Sequence, residues 1–247
     1  MHLYDAHNHL QDDRFAGRVD ELVREAGGVG VARMVVNGSC EEDWPLVEAL
    51  AERFPMVLPS YGLHPWYFRE RSLRWVEVLA RYLDRRPSAI GEFGLDRWRE
   101  DLPYEGQEYV FLEQWHLART LNRPASLHCL KAWGRLLDLL KAHPGPACGF
   151  LLHSYGGPVE MVPAFVKLGA YFSFPGYFAH ERKERQRATF RAIPVERLLV
   201  ETDAPDQGLP DEINAFPLAA PDGALVNHPA NLAAVYRAFA AARGEEV

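Results

Sequence analysis

The chain has 247 residues, 48% of them hydrophobic, enough to bury the core of one large domain, and a formal net charge of −7. That acidic balance excludes a protein that coats nucleic acid through its overall charge, while leaving room for a local cationic patch. Cys40, Cys129 and Cys148 are scattered and odd in number, no secretory leader is legible, and no stretch reaches the roughly 18 apolar residues of a membrane span, so a cytoplasmic protein with no membrane partner is expected.

In chain order, the first apolar run, 2–6, leads into "DAHNHL". Strand side chains alternate faces, so Asp5, His7 and His9 share one. Two imidazoles and a carboxylate on one face are either a metal site or a solvated edge. A helical stripe of Val19, Leu22, Val23 and Ala26 follows, ended by Gly27-Gly28. After the run 33–37, Ser39-x-x-Glu42 reads as a capping box before "WPLVEALAERF". The run 57–61 ends in "GLHPWYF", and Leu73, Val76, Leu79, Ala80 and Leu83 make a third helical stripe, stopped by "RRP". Runs at 89–93, 125–129, 148–153, 170–174 and 197–202 alternate with five more helical stretches, the last of them "NLAAVYRAFAAA". The proline-rich connection 204–229 is long for a compact domain and predicts a lid or substrate wall.

Strand–helix alternation implies parallel pairing with right-handed crossovers. Eight units in about 250 residues predict a (β/α)8 TIM barrel formed by one domain, 1–247, with an open doubly wound sheet as the alternative. Chemistry in such a barrel sits at the C-terminal ends of the strands. Six residues meet that demand: His7 and His9 after the first run, Glu92 after the fourth, His128 after the fifth, His153 after the sixth and Asp203 after the eighth. Any one of them alone suits a capped strand end or a hydrogen-bonded core histidine. Four imidazoles and two carboxylates converging on one mouth suit two divalent ions bridged by a carboxylate.

The motifs "DAHNHL", "GLHP", "IGEFGLD", "PASLHC", "LLHSYGG", "LGAYFSFPG" and "LLVETDAP" occur in an order and spacing that resemble the TatD family of metal-dependent hydrolases, from residue 5 to about 244. The resemblance implies that His7, His9, Glu92 and Asp203 hold one ion, and that Glu92 bridges to a second held by His128 and His153. It also implies hydrolysis of phosphodiesters, commonly DNA ends, by a metal-activated water. Asp203 and Glu92 are the catalytic candidates, with Asp203 orienting the water or taking its proton. Zinc, manganese, magnesium or nickel would serve as the two divalent ions.

Five residues are candidates for substrate contact. His64 in "GLHPW" ends the third run, with a proline-turn hydrogen bond as its alternative role. Family members usually carry Arg two residues after the strand-five histidine; here Leu130 stands there and Lys131 follows. Arg182 and Lys183 open a basic stretch after the seventh run, which reads equally as a solvated helix face. His228 in "NHPAN" replaces a carboxylate common in the family. Trp66, Tyr67 and Phe68 would either stack a base or plug a loop, whereas His2, His116 and His143 read as structural and the cysteines as buried apolar residues. Hydrolysis of an amide, ester or lactone on the same two ions, and a non-catalytic metal-stabilised barrel, are the competing functions.

Overall fold

Each of the eight apolar runs is a strand in the computed structural model, which describes residues 2–245. The strands are β1 (Leu3–Asn8), β2 (Val31–Asn37), β3 (Val57–Tyr61), β4 (Ala89–Asp96), β5 (Ala125–Leu130), β6 (Phe150–Leu152), β7 (Ala170–Pro175) and β8 (Leu198–Glu201). They form one parallel sheet in chain order. Just past β8 the chain returns beside β1: the Asp203 N–H donates to the His7 carbonyl at 2.9 Å and the His9 N–H to the Ala204 carbonyl at 2.7 Å. The sheet therefore curls into a nearly closed barrel, and the open-sheet alternative falls. Met1, Glu246 and Val247, the ends of the expected 1–247 domain, lie outside the described residues.

Among the described residues, eight α-helices cover the outside: α1 (Val19–Gly28), α2 (Trp44–Arg53), α3 (Trp75–Arg85), α4 (Tyr104–Leu121), α5 (Trp133–Ala142), α6 (Val162–Lys167), α7 (Glu184–Ala192) and α8 (Leu232–Arg243). Their apolar stripes face the sheet, Leu22, Val23 and Ala26 of α1 and Leu136, Leu137, Leu139 and Leu140 of α5 being buried. Two local expectations fail. Because α3 starts only at Trp75, Leu73 precedes it and is fully exposed, and Trp75 anchors the stripe in its place. The capping box before α2 does not form. Instead the Asp43 carboxylate accepts from the Ser39 N–H, the Ser39 hydroxyl and the Cys40 N–H, an acidic clamp one residue later than the expected partner. Cys129 is buried as expected, but Cys40 is only half-buried and Cys148 is exposed.

The connection after β8 is an ordered ribbon. Strands β9 (Leu218–Ala219) and β10 (Leu225–Val226) pair antiparallel, and Asn231 beside α8 accepts the Phe216 N–H at 3.0 Å and donates to Asn214 Oδ1 at 2.9 Å. No helix among the described residues is long and apolar enough to cross a membrane.

Close approach of β4 and β5 sets the mouth. Gly94 lies opposite His128, and a Cβ on Gly94 would collide with the His128 carbonyl. Gly94→Ala must push the two strands apart, so urea denaturation should show a loss of about 3 kcal/mol or more, at the upper end of ordinary overpacking. A loss below about 1 kcal/mol would contradict the close approach.

Candidate metal centre

Strand alternation, carried around the barrel, delivers the six side chains to one end. His7 on β1 places Nδ1 2.8 Å from Ser126 Oγ on β5, four strands away, a contact possible only across the lumen. Glu92 lies at the middle of the group. Its Oε1 is 2.7 Å from His153 Nε2 and 3.0 Å from His128 Nδ1, while its Oε2 is 3.3 Å from His9 Nε2 and 3.5 Å from His7 Nε2. One carboxylate thus divides four imidazoles into two pairs, one pair per oxygen. Asp203 Oδ1 stands 3.7 Å from His7 Nε2 and 3.6 Å from His9 Nε2, and its Oδ2 accepts from Gln207 Nε2 at 2.9 Å. All but His9 are buried, and His9 is nearly so. Glu92 sits inside β4 rather than at its end, because that strand continues to Asp96.

Which ring nitrogens point inward is decided by what the other nitrogens bond. His9 Nδ1 is 2.8 Å from the Asn37 carbonyl, which only accepts, so the proton sits there and Nε2 turns its lone pair toward His7 and Glu92. His128 Nε2 is 2.9 Å from Asp96 Oδ2, so in the neutral ring Nδ1 turns its lone pair toward Glu92. His7 Nε2 and His9 Nε2 face one another at 3.2 Å. In the neutral rings the His9 and His128 lone pairs aimed at a buried carboxylate repel it unless a cation stands among them, and the donor set suits imidazole-tolerant divalent ions.

Without an ion, protons fill that role. Burial would depress His9, but Glu92 and Asp203 outweigh it and push the ring up to about 10. Burial likewise opposes His128, whose bonds to Asp96 and Glu92 push it up to about 9. Burial would raise Glu92, yet the surrounding histidines hold it well below the carboxylate range. Asp203 is pushed up to about 7 by burial, with Glu201 and Glu92 adding to the effect.

His64 joins the group but differs in tautomer. Its Nδ1 accepts the Trp66 N–H at 3.1 Å, so its proton sits on Nε2, 3.5 Å from Glu92 Oε1. Burial and the neighbouring His128 lower it to about 4. Neutral and protonated on the inward nitrogen, it is a donor to whatever occupies the mouth rather than an ion ligand. The other four substrate candidates are not brought in. Lys131 is exposed on the rim; Arg182 donates to the Tyr177 hydroxyl at 2.9 Å, and Lys183 Nζ lies 4.3 Å from the Tyr177 ring centroid. His228 corrects its expected role: Nδ1 accepts the Ala230 N–H and Nε2 bonds Glu25 of α1 at 2.9 Å, so the ring packs outside the barrel.

Asp96, Ser126 and Glu201 escaped the reading of the sequence. Asp96 grips His128, Ser126 grips His7, and Glu201 is fully buried with Oε1 accepting from the Ser154 N–H and hydroxyl, both at 2.7 Å, and lying 3.9 Å from His153 Nδ1. A signal existed: Ser126 and Glu201 each stand two residues before a candidate ligand, on the same strand face. Asp5 holds a different post. Its oxygens accept from the Thr202 N–H at 2.9 Å and hydroxyl at 2.5 Å, which pins β8 to β1 without touching an imidazole ring.

Because His9 and His128 carry protons at neutral pH in the ion-free protein, binding a divalent ion must expel them. Zinc titration calorimetry at pH 7 in buffers of different ionisation enthalpy should therefore register proton release, and affinity should climb as pH rises toward 9. Buffer-independent heats would contradict protonated His9 and His128 in the ion-free protein. Asp96→Asn should leave the circular dichroism spectrum unchanged while weakening zinc binding by about 10- to 100-fold.

Comparison with known proteins agrees with this geometry. Residues 4–247 match the family described as TatD related DNase. The metal-dependent hydrolase YjjV of Escherichia coli is 32% identical over 208 residues, covering 83% of this chain and 80% of that protein. Its crystal structure superposes with a TM-score of 0.88, over 99% of this chain and 91% of that one. The 3'-5' ssDNA/RNA exonuclease TatD of Escherichia fergusonii is 31% identical over 247 residues, covering 99% of this chain and 92% of that protein. With the fold, the clustered histidines and carboxylates, and these relatives in agreement, the chain belongs to the TatD family of metal-dependent hydrolases.

Proposed function

We propose that the protein is a two-metal phosphodiesterase acting on the ends of single-stranded nucleic acid. The observation that carries this reading is Glu92, whose Oε2 faces His7 and His9 while its Oε1 faces His128 and His153, with the His64 ring beside the second pair. In this reading His7, His9, Asp203 and one Glu92 oxygen hold one divalent ion, and His128, His153 and the other Glu92 oxygen hold the second. Bound there, the ions would supply Lewis acidity, lowering the pKa of water and neutralising charge that develops on a phosphodiester. Imidazole-rich ligation favours zinc, manganese or nickel over magnesium.

The protein's own groups have distinct tasks. Asp203, held through one oxygen by Gln207 and presenting the other inward, orients the attacking water and receives its proton. His64 donates a hydrogen bond from Nε2–H to a phosphoryl oxygen at the mouth, adding charge stabilisation without ligating an ion. Arg182, Lys183 and Lys131 stand on the rim, where they gather a polyanion locally although the whole chain is acidic. The similarity to a relative named as a 3'-5' ssDNA/RNA exonuclease supports the choice of substrate.

The test is cleavage of a single-stranded oligonucleotide by the metal-loaded protein, with chelation abolishing it. His128→Ala and Asp203→Ala should each reduce the rate by more than about 100-fold, beyond what loss of a supporting residue causes. A protein that opens lactones or amides but cuts no phosphodiester would put carbonyl hydrolysis in its place. Two bound ions with neither activity would favour a non-catalytic barrel.

A further inference from the structure

Outward from His128, aromatic rings run without a gap to the solvent. Ring centroids of His128 and His64 are 4.4 Å apart, those of His64 and Trp66 5.3 Å, and those of Trp66 and Trp98 6.3 Å with planes 29° apart. Burial falls along the row: the two histidines are buried, Trp66 is half-buried and Trp98 is 58% exposed. One carboxylate holds the row in place. Asp96 Oδ2 accepts the Trp66 indole N–H at 2.8 Å and bonds His128 Nε2, while Oδ1 accepts the Trp98 backbone N–H at 2.6 Å. The adjacent rim is apolar too, since Leu130 pairs in register with Asp96 and is 42% exposed. Trp98 keeps more than half of its surface in water beside a polar site, and that exposed part adds no burial to the fold.

We propose that Trp98, backed by Trp66, is the platform on which a base of the single-stranded substrate stacks beside the linkage held at Glu92. This rests on the phosphodiesterase reading and adds the recognition element to it. Every base has a π-face, so a fixed indole serves any sequence; a base paired inside a duplex cannot offer that face, so the platform selects single strands and frayed ends. The Arg99 guanidinium, 5.7 Å from the Trp66 ring centroid, places a cation beside the same row. With a formal net charge of −7, the chain does not draw in a polyanion by its overall field, so stacking has to carry more of the affinity.

Binding decides the matter separately from cleavage. The probe is a short fluorescein-labelled oligothymidylate with phosphorothioate linkages, held rather than cut by the zinc-loaded protein, and read by fluorescence anisotropy beside an abasic strand with the same linkages. Trp98→Ala should weaken the base-bearing strand by about 10-fold and the abasic strand by less than about 2-fold, the signature of one lost base–aromatic stack. Trp98→Phe, which keeps a ring, should lose less than Trp98→Ala. Unchanged binding of the base-bearing strand, or an equal loss on both strands, would overturn the platform. Should the expected binding pattern appear while the zinc-loaded wild type cuts no unmodified oligonucleotide, the phosphodiesterase reading falls and the platform stands.

Discussion

A single buried carboxylate governs the molecule. Glu92 is ringed by the imidazoles of His7, His9, His64, His128 and His153 within 2.7 to 3.5 Å, at the end of a barrel where water cannot screen them. In the neutral rings the inward nitrogens of His9 and His128 present lone pairs to that carboxylate, so the arrangement calls for positive charge inside it. Protons supply that charge when no ion is present, and the raised His9 and His128 are the mark they leave. A cluster that must be filled by cations is a cluster prepared for metal.

What keeps the nitrogens pointed inward lies a layer deeper. The Asn37 carbonyl, Ser126 and Asp96 each occupy the far side of a ring, and each comes from a different strand. The barrel is the device that makes this possible, because it brings together residues far apart in sequence, 119 residues in the case of His7 and Ser126. Gly94 contributes by absence: a side chain there would drive apart the two strands that carry Glu92 and His128.

The strands and the inward residues were legible in the sequence because both follow simple periodicities. Alternation put Asp5, His7 and His9 on one face, and five of the eight apolar runs ended near a candidate ligand. The supporting groups were harder to see, since a hydrogen bond across the lumen depends on register and not on spacing. Asp96 stands inside the quoted motif "IGEFGLD", yet its tie to His128 appears only once β4 and β5 are aligned. His228, read as a substrate contact, shows the same limit: spacing gives no hint that its ring turns to Glu25 of α1. Leu73 fitted a helical stripe by count, and the helix simply began two residues later.

The bonds that join β8 to β1 carry a further consequence. Asp203 donates to the His7 carbonyl, and Asp5 accepts from Thr202, so the earliest and latest parts of the site are fastened to each other. A chain emerging from the ribosome has the first two histidines of the site, His7 and His9, within ten residues and lacks the site's last carboxylate until residue 203 is made. Closing so long a loop belongs to the late stage of folding, where contacts distant in sequence are the slowest to form. The full cluster around Glu92 therefore exists only once synthesis has passed β8 and the barrel has shut, and an interrupted chain cannot assemble it.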